Sequence, residues 1–160
     1  MDNSKLKISI VTPSYNQAHF IEEAIESVIC QNYTNFEHIV IDGGSTDNTI
    51  KVLEKYSHLI WISEPDEGQS DAINKGFKMA TGDIIGWLNA DDLYLPNTFK
   101  EVAKNLKKDE IDAVYGNYKF IDALGRVTRE LVTQNSKKWI SLFYCFIPST
   151  TFFFKRKIID

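Results

Sequence analysis

"KISIVTPSYNQAHFIEEAIESVICQNYTNFEHIVID", residues 7–42, carries an apolar run, a helical stripe and a second apolar run, in that order. Lys7 to Thr12 is β-branched and mostly apolar, the pattern of a strand buried on both faces. It is expected to stop at Pro13, which cannot donate to a ladder. Farther on, Phe20, Ile21, Ala24, Ile25, Val28 and Ile29 fall on one side of a helix, and Glu22, Glu23 and Glu26 fall on the other. Phe36 to Asp42 is a second strand. Two strands joined by a single covering helix return in the same direction, and the crossover is right-handed.

The alternation continues outward from this unit. "GGSTDNT" is a turn able to cap the helix "TIKVLEKY" (49–56), "LIWIS" (59–63) is a third strand, and "EPDEGQS" is a loop. "DAINKGFKMA" (71–80) is a helix and "DIIGWLN" (83–89) a fourth strand. Beyond Pro96 come a helix, "NTFKEVAKNLKK", a strand, "DAVYGNY", and a turn between strands, "LGRV", so the last third is mixed. The expectation is an α/β fold, a mostly parallel sheet sandwiched by helices, in a single domain over residues 1–160. Trp87, Trp139 and the run Phe152 to Phe154 are read as core.

With 43% of its 160 residues apolar and 25% charged, the chain is composed as a globular domain with a real core. A net charge of −4 argues against nucleic acid, which needs a basic face. Cys30 and Cys145 match no metal spacing and are expected to be reduced, mostly buried thiols, which suits a cytoplasmic location. Met1 to Lys5 leads straight into a strand, so no signal peptide is expected. No apolar run approaches the roughly 20 residues that cross a bilayer. Membrane contact is expected to be peripheral at most, at the inner face.

In an open parallel sheet, ligands bind beyond the carboxyl ends of the strands. Here those ends read Thr12 to Asn16, Asp42 to Asp47, Glu64 to Asp71, and Asn89-Ala90-Asp91-Asp92. Each also reads as turn and helix-cap chemistry, because Gly permits positive φ and Asp, Ser and Thr satisfy free helix amides. Together they gather several carboxylates on one rim, whose repulsion a cation would relieve. Mg2+ takes one or two carboxylates and fills its remaining positions with water and ligand phosphates.

"SIVTPSYNQAHFIEEAIESVICQNYTNFEHIVIDGGSTDNT" followed by "DEGQSDAINKGFKMATGDIIGWLNADDLYLP" resembles the family 2 glycosyltransferases of the GT-A fold. The likeness covers roughly residues 6–100, and "PSTTFFFKRKIID" is similar to the family's strand near the acceptor. The resemblance implies inverting transfer of a sugar from a nucleotide-diphosphate donor to a glycan or glycolipid acceptor. Residues 6–100 would be the donor-binding half and 101–160 the start of the acceptor-side half. It implies donor contacts from Pro13, Tyr15, Asp42, Asp71, Asn89 and Ala90, with Asp91 the direct ligand to Mn2+ or Mg2+. Asp92 would lie behind the ligand or face the sugar.

The sequence departs from the family pattern at two places. Asp42-Gly43 stands where many members have two Asp residues, and Asn89 replaces the first acid of the metal motif. Inverting transfer also needs a general base at the acceptor, which in the family lies beyond the strand matched by residues 149–154. The expectation is therefore a donor-binding portion of a longer enzyme, with its base past Asp160. A nucleotide-sugar-binding module without turnover is the rival reading. "IDGGST" also resembles the phosphate loop of actin-like sugar kinases, but a helix follows it here where that loop turns into a strand. A Rossmann dehydrogenase would carry a Gly-rich turn where this chain has "PSYNQ".

Overall fold

The structure, a computed structural model, describes residues 6–133 and 148–159. Trp139, Cys145 and the terminal segments Met1 to Lys5 and Asp160 lie outside the described residues. Among the described residues, eight strands and four α-helices follow one another as β1 (Ile8–Ser14), α1 (Ile21–Ile29), β2 (Phe36–Asp42), α2 (Thr49–Leu53), β3 (Leu59–Ser63), α3 (Gln69–Met79) and β4 (Ile84–Trp87). Then come α4 (Thr98–Leu106), β5 (Ala113–Val114), β6 (Tyr118–Ile121), β7 (Val127–Leu131) and β8 (Phe153–Lys155). Six strands form one sheet in the order β3-β2-β1-β4-β8-β5. β1 is parallel to both neighbours, β3 is parallel to β2, and β8 is antiparallel to β4 and β5. β6 and β7 make a separate two-stranded hairpin around the Asp122 to Arg126 turn.

Side-chain alternation along the strands divides the core into two layers. Ile8 and Ile10 face α1 and α4, where Ala24, Val28, Phe99, Val102 and Leu106 close over them. Val40 faces the pair α1 and α2 through Ile21, Ile25, Val52 and Leu53. On the opposite face, Val11, Ile39, Ile41 and Ile85 lie under α3. Phe153 and Phe154, adjacent on β8, go one to each layer. Trp87 packs at the edge of the α3 layer, its ring 6.1 Å from that of Phe77.

Several sequence expectations need correction. β1 runs through Pro13 to Ser14, with Pro13 opposite Ile41. The Val11 carbonyl accepts from Leu88 on the β4 side and the Ser14 carbonyl from Gly43 on the β2 side. By alternation the Pro13 nitrogen faces the β4 side, where pairing has already ended at Val11 and Trp87, so no ladder bond is lost. The α1 stripe is narrower than its sequence pattern: Ile21, Ala24, Ile25 and Val28 are buried, whereas Phe20 and Ile29 at its ends are exposed. Cys30 is also exposed, at the C-terminal cap of α1 beyond its buried stripe. "DAVYGNY" splits in two, since Ala113–Val114 pairs with β8 and Tyr118 pairs with Leu131 of the hairpin. Among the described residues, no helix is long and apolar enough to cross a membrane.

Candidate functional site

From β1 the chain steps to β2 and β3 on one side, and then to β4 on the other side of β1. Strand order therefore reverses between β1 and β4, and that is where an open α/β sheet leaves a crevice above its carboxyl ends. A cavity of about 660 Å3 opens there, within the roughly 300–1,000 Å3 of small-molecule sites. Pro13, Ser14, Tyr15 and Gln17 line it from the end of β1, and Gly43 from β2. Pro65, Asp66, Gly68, Gln69 and Ala72 enter from the β3–α3 side, and Asn89, Ala90 and Asp91 from β4.

Of the sequence-predicted residues, the structure brings Pro13, Tyr15, Asn89, Ala90 and Asp91 onto this one wall. Tyr15 is 59% exposed, so its ring stands at the mouth. Beside it lies Ser14, whose buried hydroxyl has no hydrogen-bond partner among the described residues. Asp91 is exposed to the cavity and its carboxylate makes no hydrogen bond or ion pair with a described residue. Two neighbours fix that placement: Ala90 is 3% exposed and packed in the α1–α2 layer, and the Asp92 amide donates to the Asn89 carbonyl to close a turn across Ala90 and Asp91.

Asp42 and Asp71 do not line the cavity. Asp42 is fully buried, and its two oxygens accept from the amides of Gly44 and Ser45 and from the hydroxyls of Ser45 (2.5 Å) and Ser63 (2.6 Å). The Ser45 hydroxyl in turn accepts from the Asn16 amide, which ties the loop after β1, Tyr15 included, to β2. Asp71 turns back to the Glu67 amide at 3.3 Å and to Lys75 at 3.2 Å, and those two donors hold its carboxyl below the usual range.

The sequence reading did not single out Asp66, Gln69 or Gln17. Asp66 reaches the cavity across Gly43, where an added Cβ would lie 2.8 Å from its carboxylate, so a bare backbone on β2 makes room for it. The usable signal was the Asp42-Gly43 pair at a strand end, which reads as a turn but also permits close approach. Gln69 opens α3, and its amide donates to Asn89 Oδ1 at 2.8 Å.

No group of three or more His, Cys, Asp or Glu among the described residues forms a ready cage for a metal. The donor set instead fits a hard divalent cation held by one carboxylate, Asp91, with the rest of its shell drawn from water and a ligand's phosphates. The Asn89 oxygen is already engaged with Gln69.

A sequence model described as "Glycosyl transferase family 2" matches residues 9–158. The chain is 38% identical over 118 residues to the Escherichia coli UDP-Glc:alpha-D-GlcNAc-diphosphoundecaprenol beta-1,3-glucosyltransferase WfgD, covering 72% of this chain and 47% of that one. It is 27% identical over 174 residues to a glycosyltransferase of Nostoc sp. (strain PCC 7120), covering 97% of this chain and 52% of the other. The chain thus spans about half the length of these relatives. Among solved structures, S. aureus TarS 1–349 in complex with UDP superposes with a TM-score of 0.75 at 25% identity, over 96% of this chain and 48% of that one. A mannosyltransferase from Pyrobaculum calidifontis, in complex with GDP-Man and Mn2+, gives a TM-score of 0.75 at 20% identity, over 98% and 46%. The parallel sheet with its switch-point cavity is the GT-A fold, and the chain belongs to glycosyl transferase family 2.

Proposed function

We propose that this chain binds a nucleoside-diphosphate sugar in the switch-point cavity and serves transfer of the sugar, with inversion, to a glycan or glycolipid acceptor. The observation that carries the reading is Asp91: a carboxylate without a partner among the described residues, fixed at the corner of a turn on the wall of a cavity of about 660 Å3. The base and ribose would lie between Tyr15 and the loop after β3, with Pro13 beneath and Asp66 at the side. Asp91 would hold Mn2+ or Mg2+ against the diphosphate. The cation's contribution is to neutralise the charge that builds on the leaving diphosphate. Residues 6–100 form the donor half in this reading and 101–160 begin the acceptor side. Asp42 and Asp71 act on the donor from behind the wall, through the loops they brace. A lipid-linked acceptor is favoured by the relative WfgD, whose name gives a diphosphoundecaprenol substrate. Work at the cytoplasmic face of a membrane follows from such an acceptor.

The test is isothermal titration of the purified chain with UDP, GDP and dTDP in Mn2+ or in EDTA, repeated on Asp91→Ala. The reading expects one nucleotide to bind in Mn2+ and the variant to weaken that binding by about a hundredfold or more, roughly 2.7 kcal/mol. Because Asp91 is exposed and unpartnered, its removal should move fold stability by no more than about 0.5 kcal/mol. Undiminished Mn2+-dependent affinity in Asp91→Ala sinks the assignment.

A further inference from the structure

One polar chain crosses the site and is not accounted for by donor binding. The Gln69 amide donates to Asn89 Oδ1 at 2.8 Å, and Asn89 Nδ2 donates to Asp92 Oδ2 at 2.9 Å. The same Asp92 oxygen accepts from the Thr150 hydroxyl at 2.6 Å. Four side chains from three places in the fold are joined: the start of α3, the loop after β4, and the 3-10 turn Ser149–Thr151 that precedes β8. We propose that Asp92 is a positioning residue, latching the turn that carries Asp91 to the Ser149–Thr151 turn through Thr150.

Asp92 closes the Asn89 to Asp92 turn twice, by its amide to the Asn89 carbonyl and by its carboxylate to the Asn89 side chain. Asp91 sits inside that doubly closed turn, so its direction is set by Asp92. Thr150 supplies the third tie and, among the described residues, the side-chain tie to this network that comes from outside the turn and α3. A hydroxyl given to an ionised oxygen is the stronger kind of hydrogen bond. The chain also explains the neutral residue at 89. An Asp there could not donate to Asp92, and would set two carboxylates against each other. Asn89 is thus a bridge whose oxygen and nitrogen are both engaged within the protein, and Asp91 is left as the carboxylate of this turn that faces the cavity.

This proposal rests on the donor-site reading for its functional consequence, and two measurements keep them separable. In the first, Thr150→Val and Thr150→Ser are titrated with UDP in Mn2+ and in EDTA. The latch predicts that Thr150→Val lowers Mn2+-dependent affinity roughly tenfold, about 1.4 kcal/mol, leaves the EDTA value unchanged, and is restored by Thr150→Ser. Equal losses in Mn2+ and EDTA, or no loss, overturn it. In the second, hydrogen exchange of the ligand-free chain is followed at the Asp92 amide, which closes the turn on the Asn89 carbonyl. Thr150→Val should speed that amide about tenfold while β1 and β2 are unchanged, and unaltered exchange overturns the latch. If the wild-type chain shows no metal-dependent nucleotide binding, the donor reading falls, and exchange alone decides the latch.

Discussion

His38 lies fully buried on the α1 face of the sheet, with Nε2 2.8 Å from the Thr12 hydroxyl and Nδ1 without a partner. Burial, helped by the nearby His58, pushes its pKa down to about 3, so the folded protein holds the ring neutral. An unfolded chain protonates it near 6.5. A depressed folded pKa means the stability is present above 6.5 and is lost as pH falls from there toward 3, by at most about 1.4 kcal/mol per pH unit. Glu37 acts in the same sense but lower. Burial raises it, yet the donors Lys7, Ser9 and Thr81 outweigh burial and bring it from 4.5 to about 2, so its effect begins below 4.5. Between pH 7.5 and 5 the loss therefore belongs to the imidazoles, with the largely exposed His58, also lowered by partial desolvation, adding a smaller part. Urea titrations should show unfolding free energy falling by about 2 kcal/mol over that range, and His38→Gln should remove most of the fall whatever its own baseline stability. The same slope in the variant would rule His38 out as the cause.

At the scale of elements, the approach of α3 to β1 is set by Gly76. A Cβ at that position would lie 2.2 Å from Val11 Cγ1, and Val11 is fully buried in the central strand with no space to retreat. Ala is the better helix former by about 1 kcal/mol, whereas overpacking a closed core costs about 1–3 kcal/mol. With a 2.2 Å approach the clash should win, leaving Gly76→Ala less stable by up to about 2 kcal/mol in chemical denaturation. Val11→Ala made alongside should couple favourably, the double variant losing less than the sum; strict additivity would show that the contact does not set the spacing. This packing was invisible in the sequence, where Gly76 is only a poor helix residue. The strands Phe36–Asp42 and Leu59–Ser63, by contrast, were legible to the residue, because apolar runs bounded by turn residues carry their own limits. α2 ends at Leu53, three residues before the helical pattern does, because its buried face stops there and Glu54 and Lys55 are exposed. Where pairing partners decide, as in the division of "DAVYGNY" between β8 and β7, nothing local could have told the two strands apart.

Over the whole molecule, strand ends were readable and what lies between them was not. Tyr15, Asn89 and Asp91 follow directly from where β1 and β4 stop, whereas Asp66 reaches the cavity only because β2 and β3 are neighbours and Gly43 is bare. That same layering distributes stability unevenly. β1 is paired on both edges and covered on both faces, and all seven of its residues are buried. Among the described residues the β6–β7 hairpin pairs only with itself, and Phe120, Ile121 and Val127 are exposed on it. A lone two-stranded ribbon is marginal in water. Native-state hydrogen exchange should therefore sort the two. Amides of β1 and β2 should open only with global unfolding, their exchange free energy falling with denaturant at the global slope. Hairpin amides in the cross-strand hydrogen bonds should exchange at least about 3 kcal/mol more easily and with almost no denaturant dependence, since opening them uncovers little surface. Hairpin protection equal to that of β1 would mean that a packed partner, and not the ribbon alone, holds it shut.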